Sequence, residues 1–219
     1  PPLDMSAALR KPAATSVPGN LTDAQATRIS KCLSFLLRHG AEKEGLSLRS
    51  DGYIAVDQLL RHPKLRQVPL ATLQYVVDRD AKQRYTLREE TSSSPPGWYI
   101  RANQGHSLKA SSLTLHEHTR EYLSFILFHF TYIAVYPPPP PRIAQQGLKR
   151  MSRNHIHFAP NLPGANEVIS GMRKKCDLRI YIDVPKAMQD GIRFYRSKNN
   201  VILSEGIDGI IAPKYFARI

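Results

Sequence analysis

The sequence predicts an α+β chain in two parts, a helical amino-terminal half that closes on a β-hairpin and a β-rich carboxy-terminal half. Three observations carry that expectation. Apolar residues recur at helical spacing up to about position 80, two alternating runs follow between 84 and 103, and from about Ser111 the chain breaks into short strand-like runs separated by turns. At 219 residues the chain can build two small cores. We divide it into a Pro-, Ala- and Ser-rich disordered lead-in at 1–20, a first lobe at 21–110 and a second at 111–219.

Leu21-Thr22-Asp23 supplies N-cap chemistry for the first helix. Ile29, Cys32, Leu33, Leu36 and Leu37 then fall at i, i+3, i+4, i+7 and i+8, one apolar helical face, and Gly40 is expected as a left-handed C-cap. The turn Ser50-Asp51-Gly52 introduces a second helix from Val56 through His62. A third runs from Leu70 to about Asp80, with Leu70, Leu73, Val76 and Val77 on its inner side. RYTLREE and GWYIRAN alternate as two strands joined by the loop from Thr91 to Gly97. Three helices followed by a hairpin is the order of a winged helix, a fold that binds nucleic acid or serves as a protein-docking unit.

In the second half, Tyr122 to Tyr136 reads as a buried strand. It is 15 residues long and interrupted by Ser124 and His129, too short for the roughly 20 residues that span a bilayer. Pro137 to Pro141 cannot donate ladder hydrogen bonds and reads as loop or polyproline II. RNHIHFAP, DLRIYIDV, NNVILSE and DGIIAPKYF read as short strands, with one helix near Pro185 to Asp190.

Lys and Arg number 31 against 18 Asp and Glu, a formal charge of +13, which points to a polyanionic partner. The two cysteines, Cys32 and Cys176, lie far apart and suit a reducing intracellular compartment. The amino end has no apolar h-region and is not a secretory signal. No G-x-G-x-x-G follows a strand and no phosphate-loop motif appears, which disfavours a doubly wound dinucleotide domain and a P-loop. Nor are carboxylates arranged around a Ser or His as hydrolytic catalysis needs.

The candidate chemistry is cationic. Arg38 and His39 stand together at a rigid helix end, one a planar fork of donors that matches phosphate oxygens, the other able to exchange a proton near neutral pH. The plain alternative is that they merely offset the helix dipole. In RNHIHF, alternation places Arg153, His155 and His157 on one face and Asn154, Ile156 and Phe158 on the other. The His-x-His pair lacks a third ligand at matching spacing, so no metal is expected. Arg101 is followed by Gln104, Gly105, His106 and Ser107, a compact set of donors. Such groups suit electrostatic stabilisation of a phosphate.

With these segments in order, the chain resembles the NAD-dependent RNA 2′-phosphotransferases over about Ile29 to Phe216. The likeness rests on LSFLLRHGAEKEGLSLRSDGYIAVDQLL, IRANQGHS, GLKRMSRNHIHFAP, ISGMR, VILSEG and the terminal PKYF. The resemblance implies a winged-helix lobe and an ADP-ribosyltransferase-like lobe with the site between them. It also implies a reaction in which the splice-junction 2′-phosphate of tRNA attacks the nicotinamide ribose of NAD and releases nicotinamide. The ribose 2″-hydroxyl then frees 2′-hydroxyl RNA and ADP-ribose 1″,2″-cyclic phosphate.

By motif, Arg38, His39, Arg101 and Arg153 match the family's Arg-His-Arg-Arg quartet, expected to clamp the 2′-phosphate, with His39 the candidate for proton transfer. His129 and Thr131 match the group that grips the NAD ribose and carboxamide. His155 or His157 supplies a second-strand histidine, and Ser170, Gly171 and Arg173 of ISGMR are placed near the dinucleotide. Phe130 stands where the family has glycine, Tyr136 where it has tryptophan, and the five prolines lengthen a segment that is short and helical in the family. Two alternatives stay open: an RNA-binding relic with a closed NAD pocket, and an ADP-ribosyltransferase of nucleic-acid terminal phosphates. The expected partner is tRNA or another RNA with an internal 2′-phosphate, with no membrane, in a monomer located in cytoplasm or nucleus.

Overall fold

The computed structural model describes residues 21–107, 131–135, 142–159 and 178–219. Mixed helix and sheet confirm the α+β class. The first helix, α1 (Asp23–Phe35), starts at Thr22, whose side chain accepts from the Gln25 amide while the Gln25 side chain accepts from the Thr22 amide. That reciprocal cap satisfies two donors the helix end would otherwise leave open, worth about 1 kcal/mol.

The helix does not run regularly to Gly40. It widens into a π-helical turn, Leu36–Gly40, so that both Leu36 and Leu37 stay fully buried while Arg38 and His39 follow at the turn's end. Gly40 is not the expected left-handed cap. Its role is steric, since a Cβ there would lie 2.6 Å from the Phe35 ring. The left-handed glycine comes five residues later, Gly45 at φ +70.

Short strand β1 (Ile54–Ala55) leads into α2 (Val56–Arg61), and α3 (Leu70–Asp78) precedes the hairpin of β2 (Tyr85–Glu90) and β3 (Gly97–Ala102). The helices stop one or two residues before the sequence-based ends. The strands pair antiparallel in the order β1-β3-β2, with Ile54 opposite Ile100 and Thr86 opposite Arg101. One apolar core, drawn from Ile29 to Ala102, joins Leu33, Leu36, Leu37, Ile54, Leu59, Leu73 and Ile100. The Tyr85 hydroxyl locks the hairpin to α1, donating to the Ser30 carbonyl at 2.6 Å with Ser34 Oγ at the same distance.

The remaining described elements are β4 (Thr131–Val135), α4 (Arg142–Gln146), β5 (Leu148–Lys149), β6 (Ile156–Phe158), β7 (Leu178–Ile182), α5 (Val184–Gln189), β8 (Tyr195–Arg196), β9 (Ile202–Ser204), β10 (Ile210–Ile211), a 3-10 turn (Pro213–Tyr215) and β11 (Phe216–Arg218). They form antiparallel sheets ordered β10-β5, β11-β7-β4 and β6-β9-β8. A second core, from Leu148 to Tyr215, holds Phe158, Ile180, Ile182, Ile202 and Ile211. Of the long strand expected at Tyr122–Tyr136, the described part is β4; the rest, and Pro137 to Pro141, lie outside the described residues. The expected strand through RNHIHF begins only at Ile156, so Arg153 sits in the turn before it and alternation does not govern its direction. Helix α4 was not expected from the sequence.

Gly147 joins α4 to β5 at φ +77, and a Cβ there would meet the Ile211 carbonyl oxygen at 2.2 Å. Backbone cannot move aside as a side chain can. Gly147→Ala is therefore expected to cost about 2 kcal/mol or more, whereas Gly40→Ala costs less because the exposed Phe35 ring can swing away. Urea unfolding midpoints of the two variants check the order.

Candidate active site

The segment 105–107, just past β3, organises the site. Gly105, at φ +86, comes close enough to Arg38 that a Cβ would lie 3.4 Å from its Nε. The Ser107 amide donates to the Arg38 carbonyl at 3.0 Å, and Ser107 Oγ is 2.8 Å from His39 Nδ1. On the other side, the Asn154 amide donates to the His106 carbonyl at 2.9 Å. Three consecutive residues thus tie the π turn to the turn that carries Arg153 and to β6 beyond it.

Arg101, on β3, is held from below. Its Nη1 donates to the Asp51 carbonyl at 3.2 Å, and its guanidinium lies 4.9 Å from the centroid of the Tyr53 ring. Arg88 stacks on the same ring at 4.0 Å. Tyr53, 3% exposed, follows the turn at Gly52. The carboxylates nearby are engaged elsewhere: Asp51 and Glu90 pair with Arg49 and Arg88. Among the described residues none forms an ion pair with Arg38, Arg101 or Arg153. Sequence reasoning missed Tyr53, although its place after the Ser50-Asp51-Gly52 turn signalled a fixed position.

The electrostatics show that these groups share one neighbourhood. Burial, and then the charges of Arg38 and Arg153, lower the His39 imidazole, which is the free base at neutral pH. Burial pushes His106 down to about 3, with Arg38, Arg101, His155 and His39 all acting in the same direction. His157 falls to about 3 through burial and then Arg153, His155 and Arg38. Burial also lowers His155, partly offset by Glu205, whose Oε1 stands 3.7 Å from its Nε2.

Several polar atoms here are buried and have no hydrogen-bond partner: the donors Nε and Nη2 of Arg38 and Nε of Arg101, and the ring nitrogens Nε2 of His106, His155 and His157. An unmade hydrogen bond on a buried polar atom costs about 1–3 kcal/mol, so the cluster is incomplete without an acceptor. The open N–H groups of Arg38 and Arg101 match the acceptor oxygens of an anion.

The structure brings together Arg38, His39, Arg101, Arg153, His155 and His157 and adds His106 and Ser107. His129, Ser170, Gly171, Arg173 and Phe130 lie outside the described residues, and Thr131 is described only as backbone of β4. No group of three metal-ligating side chains occurs among the described residues, nor any helix long and apolar enough to cross a membrane.

Fold and site together define an α+β protein with a partly buried cluster of arginine and histidine side chains. The family model for RNA 2'-phosphotransferase, Tpt1 / KptA family, matches residues 24–206, and the chain belongs to that family. It is 45% identical over 194 residues to tRNA 2'-phosphotransferase 1 of Danio rerio, covering 87% of this chain and 84% of that one. It is 44% identical to the Homo sapiens protein of the same name, over 86% of this chain and 73% of the relative. To tRNA 2'-phosphotransferase of Saccharomyces cerevisiae it is 36% identical, over 84% and 81%.

The neutral imidazoles make stability depend on pH. His106 and His157 stay uncharged in the folded protein down to about pH 3, while the unfolded chain protonates them near 6.5. The stability they confer is complete above 6.5 and is lost as pH falls towards 3, at about 1.4 kcal/mol per group per pH unit. His39 and His155, also lowered, act with the same sign. Lowering the pH from 7 to 5 should reduce the urea midpoint, and replacing His106 and His157 together by Gln should flatten that dependence.

Proposed function

We propose that the chain is a tRNA 2′-phosphotransferase that moves the splice-junction 2′-phosphate of tRNA to NAD, giving 2′-hydroxyl RNA, ADP-ribose 1″,2″-cyclic phosphate and nicotinamide. The observation that carries the reading is the cluster of buried, unpartnered polar atoms of Arg38, Arg101 and the histidines. Membership of the family, and relatives that bear the name tRNA 2'-phosphotransferase, support it.

In this reading Arg38, Arg101 and Arg153 grip the 2′-phosphate and offset the charge that builds up during transfer. Tyr53 and the Asp51 carbonyl fix the Arg101 fork, so little reorganisation is needed when phosphate enters. Ser107 holds Nδ1 of His39, which sets the ring's orientation and leaves Nε2 as the atom that moves a proton. NAD, when bound, supplies the ribose that receives the phosphate. His155 and His157, with buried Nε2 atoms that lack partners, fit a nucleotide that offers both donors and acceptors and are assigned to it. His129, Thr131, Ser170, Gly171 and Arg173 complete the assignment through the family motifs.

The two separate cores support the further reading that residues 21–110 form a winged-helix lobe and 111–219 an ADP-ribosyltransferase-like lobe. The element order α1, β1, α2, α3, β2, β3, with the hairpin sheet closed by β1, fits a winged helix.

Incubation with NAD and an RNA bearing an internal 2′-phosphate should release nicotinamide and leave a 2′-hydroxyl; no release at saturating NAD overturns the proposal. Arg153→Ala should slow turnover by roughly 10²–10³-fold while changing the Kd for NAD far less, as measured by single-turnover kinetics and calorimetry. Equal losses in both would contradict the role given to Arg153.

A further inference from the structure

Resting on the 2′-phosphotransferase reading, we propose that His106 is a phosphate-binding residue: its neutral imidazole donates from Nε2 to an oxygen of the 2′-phosphate held by Arg38 and Arg101. No motif assignment above gives His106 a task, and its surroundings supply one. The residue is 5% exposed, and its Nε2 is buried without a partner. Arg38 and Arg101 also carry buried donor atoms without partners, both guanidiniums act on the imidazole, and Gly105, next to His106, lies against the Arg38 side chain.

The backbone holds His106 in place from both sides. Its own carbonyl accepts from Asn154, the preceding Gly105 lies against Arg38, and the following Ser107 binds both the Arg38 carbonyl and the His39 ring. A side chain built into such a frame is directed by its neighbours rather than by solvent. Three buried donor atoms, two from Arg38 and one from Arg101, lack acceptors, and His106 Nε2 has no partner either; in the tautomer protonated there it makes a fourth donor. A phosphomonoester has three terminal oxygens with lone pairs enough for all of them. A single water accepts only two.

A neutral donor also suits the electrostatics. A further arginine at this position would add repulsion to cations that have no carboxylate partner among the described residues. An imidazole kept neutral by burial and by Arg38 and Arg101 adds a hydrogen bond without adding charge. His39 differs in having its Nδ1 engaged by Ser107. His106 therefore binds, and His39 moves protons.

The test measures Kd, without NAD, for a short RNA with one internal 2′-phosphate and for the same RNA with a 2′-hydroxyl. His106→Ala should weaken binding of the phosphorylated RNA about tenfold or more and leave the 2′-hydroxyl RNA within about twofold. His106→Gln, whose amide nitrogen reaches the place of Nε2, should recover most of the loss. In the wild type, the 15N resonance of His106 Nε2 should move when the phosphorylated RNA is added and stay still with the other.

A wild type that does not prefer the phosphorylated RNA overturns both this role and the functional reading. If the wild type prefers it and His106→Ala keeps the same preference, only the role of His106 falls. Should the alanine variant fail to fold, an unmoved Nε2 resonance at saturation still overturns the proposal.

Discussion

The short segment from Gly105 to Ser107 holds the molecule's working parts in register. Its hydrogen bonds run to the carbonyl of Arg38, to the ring of His39 and to the amide of Asn154, so a π turn in one core and a strand entry in the other share a single piece of backbone. The Asn199 side-chain Nδ2, donating to the Lys82 carbonyl at 3.0 Å, makes a second bridge farther away. The two backbone bonds among these, Ser107 to Arg38 and Asn154 to His106, depend little on pH or salt. They fix where the charged side chains start, whatever those side chains then do.

Gathering arginines without carboxylates opposes folding, because like charges repel and each guanidinium gives up part of its hydration. Two features offset that cost. Arg101 rests on the Tyr53 ring and on a peptide carbonyl, which stabilise its charge without neutralising it. The local acids, Asp51 and Glu90, are engaged by Arg49 and Arg88; those contacts and Ser93 hold Glu90 at about 2 despite its burial. The site thus keeps its positive field while the surrounding surface is balanced. In the role proposed for the site, an incoming phosphate supplies the missing partners, so binding and relief of repulsion are the same event.

Much of this was legible in the sequence. The cap at Thr22, the apolar face from Ile29 to Leu37 and the hairpin at 85–102 stand as periodicity and turn chemistry indicate. Arg38, His39 and Arg153 stand out as residue types at a helix end and beside a strand, and the family motifs join Arg101 to them; the structure sets them around the segment 105–107. Three features were not legible. Helical periodicity cannot distinguish an α turn from a π turn over five residues, so Gly40 was misread as a cap when its function is to make room for Phe35. Alternation was extended to Arg153 although the strand starts at Ile156. For Tyr53 and His106 the turn at Gly52 and the run Gln104 to Ser107 mark the residues, but what they face depends on long-range packing, which no local pattern records.

The widened turn at Leu36–Gly40 has a consequence for how this protein tolerates change in length. Each residue of a regular helix rotates the next by about 100°. A π turn takes up one extra residue in a single circuit, so removing one residue from it returns an ordinary spiral and leaves the guanidinium and imidazole facing as before, whereas a deletion in the regular helix ahead of it rotates both by about 100°. The widened turn is thus the place where this helix tolerates a change in length without losing its aim.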